Sequence, residues 1–388
     1  MKPKVLFCAT VDYHFKAFHL PVMEWFQKQG WEVHVVAQGD LVLPHVDHKY
    51  NIPIQRSPFK VVNVKAYRQL KSIIDKEDYS IIHCHTPMGG ALARMAARGA
   101  RKRGTKVIYT AHGFHFYKGA PQMNWLFYYP IEKMLASVTD CLITINGEDF
   151  RRALASRFRA REIHHVHGVG VHTNMYSPIT EERKRELRSS LGYSSDHFLM
   201  IYGAEFNTNK NHELLIHALA KLKEKVPEAR LLLAGEGSTQ ESCRELTQQL
   251  GVSHMVNFLG FRNDMRKLIP MCDVAVASSL REGLPLNIME AMASGLPIVA
   301  TNNRGHIELV EEGQNGFLID PSDVDAFASR LQLLYTFHES RLEMGRRSLE
   351  RVKVYSLDSV KDELKGIYNT FMTEQERDGK ERLEWNVQ

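Results

Sequence analysis

The stretch SSLREGLPLNIMEAMASGLPIVAT, residues 278–301, decides how the second half of this chain folds. It follows an apolar run, typical of a buried β-strand, that ends at Ala277. A polar loop containing Gly283 comes next. A helical pattern then begins at Pro285, which suits a first helical turn because its missing N–H is not needed there. Gly295 ends the helix. The stretch therefore predicts a strand, a loop and a helix in direct succession.

The start of this helix has the chemistry of an anion site. The free N–H groups of a first helical turn point toward a ligand placed there, and they suit a diphosphate. Glu282 precedes the helix, and Glu290 lies about a turn and a half into it. A carboxylate accepts hydrogen bonds from two vicinal hydroxyls, so each glutamate could hold a sugar ring. The alternative is that both are solvated carboxylates flanking a helix.

The same alternation of short apolar runs and helix-length patterns extends over the whole chain. Because the runs are continuous and helices separate them, each half predicts a parallel sheet covered on both faces. The strand candidates are 4–9, 32–37, 80–83, 106–110, 141–144 and 162–166 in the first half, and 198–203, 229–234, 256–259, 274–277, 298–300 and 316–319 in the second.

We therefore predict an α/β protein of two doubly wound, Rossmann-like domains with a cleft between them. Ligands in such sheets bind at the carboxyl ends of the strands. Two glycines and a proline mark the break between the domains. The predicted segments are an N-terminal domain at 1–170, a hinge at 171–180, a C-terminal domain at 181–355, a crossover helix at 356–372 and a charged tail at 373–388.

Composition places the chain among ordinary globular proteins. Hydrophobic residues make up 44% and charged residues 24% of its 388 residues. Five cysteines without a CxxC pair indicate reduced thiols in a cytosolic protein. The N-terminus becomes polar too soon for a signal peptide, and no run reaches the roughly 20 apolar residues of a membrane span. We expect a protein that is neither secreted nor integral, although it could sit on a membrane.

Charge is distributed unevenly along the chain. Residues 1–175 have a net charge of +11, and the remainder has −6. The basic segment 94–106 is either a solvated helix face or a site of attraction to anionic lipid headgroups. No nucleic-acid-binding motif is present in the sequence, so we do not expect nucleic acid as a partner.

Several motifs of the sequence resemble those of a known family. Two glutamates eight positions apart in this strand–loop–helix setting, followed by AMASGLPIVAT, are similar to the GT-B glycosyltransferases of family 4, which are retaining enzymes. The first half looks closest to exopolysaccharide-biosynthesis glycosyltransferases of Gram-positive bacteria. The resemblance implies the GT-B fold, with a C-terminal helix that packs back on the N-terminal domain. Other matching motifs are HCHTP (83–87), TAHGFHF (110–116), AGEGS (234–238), NFLGFRNDM (257–265) and NGFLI (315–319).

The resemblance also implies roles for single residues. Glu282 would contact the donor sugar near its reacting face, and Glu290 would hold the ribose hydroxyls. Lys210 would neutralise the leaving diphosphate, and His112 would contact the donor sugar. We therefore expect Glu282, His112 and Lys210 to act in catalysis. The other residues expected at the donor are Glu205, Phe261, Arg262, Gly283, Leu284, Leu286 and Asn287.

One position departs from the family pattern. The family usually has an arginine a few residues before the lysine, and this chain has Ala204 and Glu205 there. One expected phosphate-binding cation is therefore missing. Either Lys210 and the helix start suffice, or another basic residue such as Arg262 or Arg304 substitutes for it.

On the acceptor side we expect Asp12, His14, His85 and His115, each with a purely structural role as the alternative. The segment VDYHFKAF, residues 11–18, follows the first strand and is expected to form a loop at the acceptor.

A metal site is not predicted. His83 and His85 lie on one face of a strand, but no carboxylate or cysteine at ligand spacing completes a set. The DxD motif formed by Asp323 and Asp325 opens a helix and is expected to cap it. We expect neither a divalent metal nor another cofactor, with a UDP-sugar as substrate.

The combined expectation is a hexosyl- or N-acetylhexosaminyltransferase at the cytoplasmic membrane face. It would move a sugar with retention from a nucleotide sugar to a lipid-linked saccharide in exopolysaccharide or cell-surface polysaccharide biosynthesis. A nucleotide-sugar epimerase on the same fold, or a non-catalytic subunit that binds sugar nucleotides, remain as alternatives.

Overall fold

A computed structural model describes residues 2–117 and 119–385, with side chains up to residue 374. It divides into two compact units. The first comprises Met1–Gly170 together with Asp358–Gln388, and the second comprises Val171–Leu357. Among the described helices, none is both long and apolar enough to cross a membrane.

The first unit is built on a parallel sheet with the strand order β3-β2-β1-β4-β5-β6-β7. Its inner strands are buried on both faces, so successive residues of β1 alternate between two cores. Leu6 and Cys8 pack in one core, while Val5, Phe7 and Ala9 pack in the other. The strands are β1 (Lys4–Val11), β2 (Glu32–Gln38), β3 (His48–Asn51), β4 (Ile81–His85), β5 (Lys106–Ala111), β6 (Cys141–Thr144) and β7 (Glu162–His165).

Helices cover both faces of this sheet. They are α1 (Tyr13–Phe18), α2 (Leu20–Lys28), α3 (Val62–Glu77), α4 (Pro87–Ala96), α5 (Arg98–Lys102), α6 (Gln122–Ala136) and α7 (Gly147–Ala155).

The second unit repeats the architecture with the strand order β10-β9-β8-β11-β12-β13. Its strands are β8 (Phe198–Gly203), β9 (Ala229–Ala234), β10 (Val256–Gly260), β11 (Val274–Ala277), β12 (Ile298–Thr301) and β13 (Gly316–Ile319). Its helices are α8 (Glu181–Ser190), α9 (His212–Leu222), α10 (Gln240–Gln249), α11 (Met265–Leu268), α12 (Leu286–Ala293), α13 (Arg304–Leu309), α14 (Val324–Thr336) and α15 (His338–Val352).

The last helix, α16 (Leu357–Trp385), returns to the first unit. Val360, Tyr368 and Phe371 are buried in the core on one face of the first sheet. The Tyr368 hydroxyl lies 2.6 Å from His83 Nδ1 on β4. The helix continues beyond residue 372, into the segment predicted as a charged tail, and residues 386–388 lie outside the described part.

The prediction of two Rossmann-like units with parallel sheets is confirmed. The sequence did not predict β3, because HKYN is polar and β3 is a short strand at the sheet edge. It also did not predict α8 and α15. Most residues of these two helices are charged or polar and few are buried, so they lack a clear apolar periodicity. The segment expected as an acceptor-side loop is largely helix α1 instead, and Phe15 on α1 is buried in the core.

We predict that Phe371→Ala lowers the free energy of unfolding by about 3–5 kcal/mol, because it leaves a large cavity under α16. Chemical denaturation followed by circular dichroism measures the change. Thr370→Ala, at a neighbouring exposed position of the same helix, is the matched control. Equal losses in both variants would show that α16 does not hold the core together.

Candidate functional site

In the second unit, β8, β11 and β12 are neighbours, so the loops after them meet at one edge of the sheet. Hydrogen bonds hold the first two loops together. Ser278 Oγ donates to the Lys210 carbonyl at 2.7 Å, and Asn209 Nδ2 donates to the Arg281 carbonyl at 3.0 Å. The Tyr202 hydroxyl on β8 lies 2.7 Å from Ser279 Oγ. The loop that carries Glu282 is thus fixed to the loop that carries Lys210.

These two predicted residues form an ion pair. Lys210 Nζ contacts Glu282 Oε1, and the two side chains are 23% and 15% exposed. Because both side chains keep some exposure to solvent, a ligand can still reach the pair. Arg304 Nε donates to the Glu282 carbonyl at 3.1 Å, so a second cation adjoins the same loop.

Asn303 and Gly305, which lie after β12 on either side of Arg304, also shape the Glu282 loop, although the sequence did not single them out. Asn303 Oδ1 accepts hydrogen bonds from the N–H groups of Gly305 and His306, at 3.0 and 3.1 Å, and so caps α13. Asn303 Nδ2 donates to the Ser279 carbonyl at 2.8 Å. A Cβ atom at Gly305 would lie 2.7 Å from Glu282 Cβ. The signal was an asparagine two residues after a strand and two residues before a glycine, which is typical of a helix start.

The predicted helix start is present one residue later than expected, since Pro285 is the N-cap and α12 begins at Leu286. Asn287 fixes this turn to β8, because its Nδ2 donates to the Gly203 carbonyl at 3.0 Å. Leu284 and Leu286 pack partly buried against the core of the second unit, and Gly283 lies in the loop before them.

Glu290 lies further along α12 in a desolvated position. Burial raises the pKa of its carboxyl to about 7, while a hydrogen bond with Tyr176 acts in the opposite direction. Burial likewise raises the pKa of Tyr176. A carboxylate this poorly solvated gains from any hydroxyl donor that reaches it.

Of the other residues predicted at the donor, two are exposed and one is held in an ion pair. Glu205 and Phe261 are exposed, the latter by 78%. Arg262 is held by Asp264 through two hydrogen bonds of 2.9 and 2.7 Å. The arginine expected as one possible phosphate ligand is therefore already paired within its own loop.

In the first unit, Asp12 is engaged in a structural ion pair. Its Oδ2 accepts from Lys49 Nζ at 2.6 Å and from the Leu41 N–H at 2.8 Å. Burial alone would raise the pKa of Asp12, but these donors hold it below its usual value. This carboxylate is thus occupied, which favours the structural alternative for Asp12.

The carboxyl ends of β1, β4 and β5 bring four histidines together. His14 on α1, His19 just after α1, His85 at the end of β4 and His112 just after β5 each offer a ring nitrogen within 4.8 Å of the others. Burial lowers the pKa of His14 to about 4, and lowers those of His19, His85 and His112 well below the usual value. The side chain of His112 thus faces this cluster, and its contact with a donor sugar stays a prediction.

A cavity of about 930 Å³ opens beside the histidines. His115 lines it and stacks on Tyr128 with ring centroids 4.6 Å apart. Glu132 and Arg56 add charge to an otherwise mostly apolar wall. The apolar lining includes Tyr13, Phe18, Phe59, Met88, Met123, Phe127 and Ile131.

Two of the other sequence features are structural. In the basic segment 94–106, Arg94 is buried against Glu132 at 2.8 Å and Arg101 pairs with Asp140 at 2.9 Å. In the DxD motif, Asp323 Oδ1 accepts from the Ala326 N–H at 2.8 Å, so the predicted capping role is confirmed.

Comparison with known proteins agrees with this geometry. The family described as Glycosyl transferases group 1 matches residues 183–351, and the family described as Glycosyl transferase 4-like matches residues 4–146. The protein EpsD of Bacillus subtilis (strain 168), named provisionally as a glycosyltransferase, is 50% identical over 372 residues, which are 96% of this chain and 98% of EpsD. This chain is a GT-B glycosyltransferase of family 4.

Two further relatives of the glycosyltransferase are informative. The UDP-Gal:alpha-D-GlcNAc-diphosphoundecaprenol alpha-1,3-galactosyltransferase of Escherichia coli is 29% identical over 275 residues, which are 70% of each chain. The crystal structure of HepE from Anabaena in complex with UDP superposes with a TM-score of 0.76 at 20% identity, covering 95% of this chain and 100% of HepE. The similarity to HepE supports the assignment of the GT-B fold.

We predict that Gly305→Ala destabilises the second unit by about 1–3 kcal/mol, since the new methyl group collides with Glu282 and must displace its loop. Thermal unfolding measures the effect. Gly366→Ala is the control, because a Cβ there meets open space on a helix. If the Gly305 variant were as stable as the control, the Glu282 loop could move aside without loss of stability, which would contradict the prediction.

We also predict that Glu290→Gln is more stable than the wild type at pH 8 by about 1–3 kcal/mol, with little difference at pH 5. The raised pKa means that ionisation of the folded protein at Glu290 costs stability, and this loss grows as the pH rises from about 4.5 through 7. Denaturation curves over this pH range test the prediction. Glu339→Gln, at a side chain that is 94% exposed, controls for charge removal. Parallel pH profiles for wild type and Glu290→Gln would contradict it.

Proposed function

We propose that this glycosyltransferase moves a sugar, with retention, from a UDP-sugar to a lipid-diphosphate-linked saccharide during bacterial polysaccharide biosynthesis. The observation that carries the proposal is the Lys210–Glu282 ion pair next to the start of α12. A cation, a carboxylate and free helix N–H groups are the three groups that a nucleotide sugar requires.

The diphosphate of the donor binds Lys210 and the N–H groups at the start of α12. Binding releases Glu282 from the lysine, because the phosphate takes over its positive charge. Glu282 then accepts hydrogen bonds from hydroxyls of the transferred sugar. The ion pair therefore holds the Lys210 ammonium and the Glu282 carboxylate in position before the donor binds. This limits the reorganisation needed for catalysis.

Arg304 is the best candidate for the cation that the family pattern lacks near Lys210. It donates to the backbone of the Glu282 loop, so its guanidinium lies beside the proposed diphosphate. Arg262, the other candidate, is paired with Asp264 in the same loop.

Glu290 is proposed to hold the ribose hydroxyls of the nucleotide. Burial raises its pKa because the charged carboxylate is poorly solvated, and two vicinal hydroxyls would stabilise that charge with hydrogen bonds. A uridine nucleotide is favoured because the Escherichia coli relative is named for UDP-Gal and the HepE structure contains UDP.

The proposed reaction is a front-face displacement. The bond between the anomeric carbon and the diphosphate oxygen breaks, and a bond to the acceptor oxygen forms on the same face. The acceptor proton passes to the departing diphosphate, so neither a protein base nor a divalent metal is required. The protein's contribution is to place the reactants and to stabilise the negative charge of the leaving group.

The acceptor is proposed to carry a long apolar chain. The cavity in the first unit has a mostly apolar wall, and α6 continues this surface outward with exposed side chains. Contiguous exposed apolar side chains on a protein surface mark sites of lipid or protein contact. The exposed members on α6 are Met123, Leu126, Phe127, Ile131 and Met134.

We propose that the same surface makes peripheral contact with the membrane. The basic segment 94–106 adds less to this contact than its charge suggested, because Arg94 is buried against Glu132 and Arg101 is paired with Asp140. The contact would rest mainly on the apolar side chains of α6, with the lipid-linked acceptor drawn from the bilayer beside them.

The test is a transfer assay with a panel of radiolabelled UDP- and GDP-sugars and with polyprenyl-diphosphate sugars as acceptors. We predict transfer from a UDP-sugar by the wild type and a loss of at least about 100-fold in Glu282→Ala. Glu241→Ala, at an exposed position of α10, should keep wild-type activity. An acceptor with a short soluble tail should be used less well than one with a long chain.

Each outcome separates the alternatives. Full activity of Glu282→Ala would contradict the site. Conversion of the donor sugar without any acceptor would indicate an epimerase. Binding of UDP without transfer to any acceptor would indicate a non-catalytic subunit, and equal use of both acceptors would contradict the role of the apolar cavity.

A further inference from the structure

Four histidines of the first unit, His14, His19, His85 and His112, offer ring nitrogens close enough together to bind one metal ion. His14 Nε2 and His19 Nε2 are 3.1 Å apart, and His85 Nδ1 and His112 Nε2 are 3.3 Å apart. In a tetrahedral site with metal–nitrogen bonds of about 2.0–2.1 Å, neighbouring ligand nitrogens are about 3.4 Å apart. Both contacts therefore match an edge of such a tetrahedron.

We propose that His14, His19, His85 and His112 bind one divalent transition-metal ion, with Zn²⁺ as the natural occupant. Four imidazoles in a tetrahedral arrangement favour Zn²⁺ among abundant cellular metals, and they exclude the hard ions Mg²⁺ and Ca²⁺, which prefer oxygen. The site lies wholly within the first unit and includes His112, the histidine expected at the donor sugar, although the proposed transfer reaction itself requires no metal.

Protein contacts alone do not satisfy this cluster. His85 Nε2 is buried and has no hydrogen-bond partner among the described residues, while its Nδ1 faces the ring of His112, so no group outside the cluster fixes which nitrogen of His85 would bind an ion. In the part of the chain that the structure describes, these rings pair with one another, His14 with His19 and His85 with His112, rather than with a carboxylate. Burial keeps the rings neutral, which is the form that offers a lone pair to a metal.

The neighbouring His83 shows what a structural histidine looks like here. It is buried beside His85 with ring centroids 4.1 Å apart, but both of its nitrogens have protein partners. Its Nδ1 lies 2.6 Å from the Tyr368 hydroxyl, and its Nε2 lies 2.8 Å from Thr110 Oγ1. His83 is therefore excluded from the proposed ligand set and provides a matched control.

The ion also has a route of entry. His14 and His112 are partly exposed, whereas His19 and His85 are buried, and His14 lines the large cavity. The widest separation between ligand nitrogens is 4.8 Å, so the rings must turn inward as the ion binds.

The test uses the full-length protein without an affinity tag, stripped with a chelator and then titrated with Zn²⁺ and with Co²⁺. We expect one equivalent of Zn²⁺ by elemental mass spectrometry after dialysis, and visible absorption bands of tetrahedral Co²⁺. His14→Gln and His112→Gln, at the partly exposed positions, should each weaken binding at least tenfold, while His83→Gln should bind one equivalent.

Absence of stoichiometric binding by the stripped wild type would overturn the proposal, as would wild-type affinity in the double variant His14→Gln/His112→Gln. Circular dichroism confirms that each variant is folded before titration. Glu282→Ala should bind Zn²⁺ as the wild type does, so failure of the metal site and failure of the transfer assay are distinguishable.

Discussion

Parallel strands joined by helices impose one constraint on everything else in this protein: all loops that follow the strands meet at the same edge of their sheet. Lys210 and Glu282 of the second unit therefore meet where β8 and β11 end, and four histidines of the first unit meet where β1, β4 and β5 end. Residues as distant in sequence as Lys210 and Glu282 come into contact for this reason. The sheets themselves are ordinary apolar cores whose role is to hold these edges rigid.

This constraint also explains what the sequence could and could not predict. Buried strands and the helix after Gly283 follow from apolar runs and from turn residues, so the two sheets and the position of Glu282 could be predicted. The pairing of Lys210 with Glu282 could not, because nothing in local composition specifies which side chain a charged group will reach. The polar edge strand β3 and the highly charged α15 were missed because their burial depends on tertiary neighbours.

The histidines illustrate the same limit. Spacing along one strand suggested only His83 with His85, and His83 proved to be satisfied by Tyr368 and Thr110. The partners of His85 come instead from α1 and from the end of β5. The proposed ligand set comes from three separate segments of the chain, so it leaves no signature at fixed spacing and becomes visible only when the strand order is known.

The return of α16 to the first unit has a consequence for how the chain is made. The second unit, from Val171 to Leu357, is complete before the ribosome has synthesised Tyr368 and Phe371. Until then, α16 does not cover its face of the first sheet, and His83 Nδ1 lacks the hydrogen bond with the Tyr368 hydroxyl. The earlier part of the polypeptide thus finishes folding last. During synthesis, an apolar surface on that half stays open to chaperones or to aggregation.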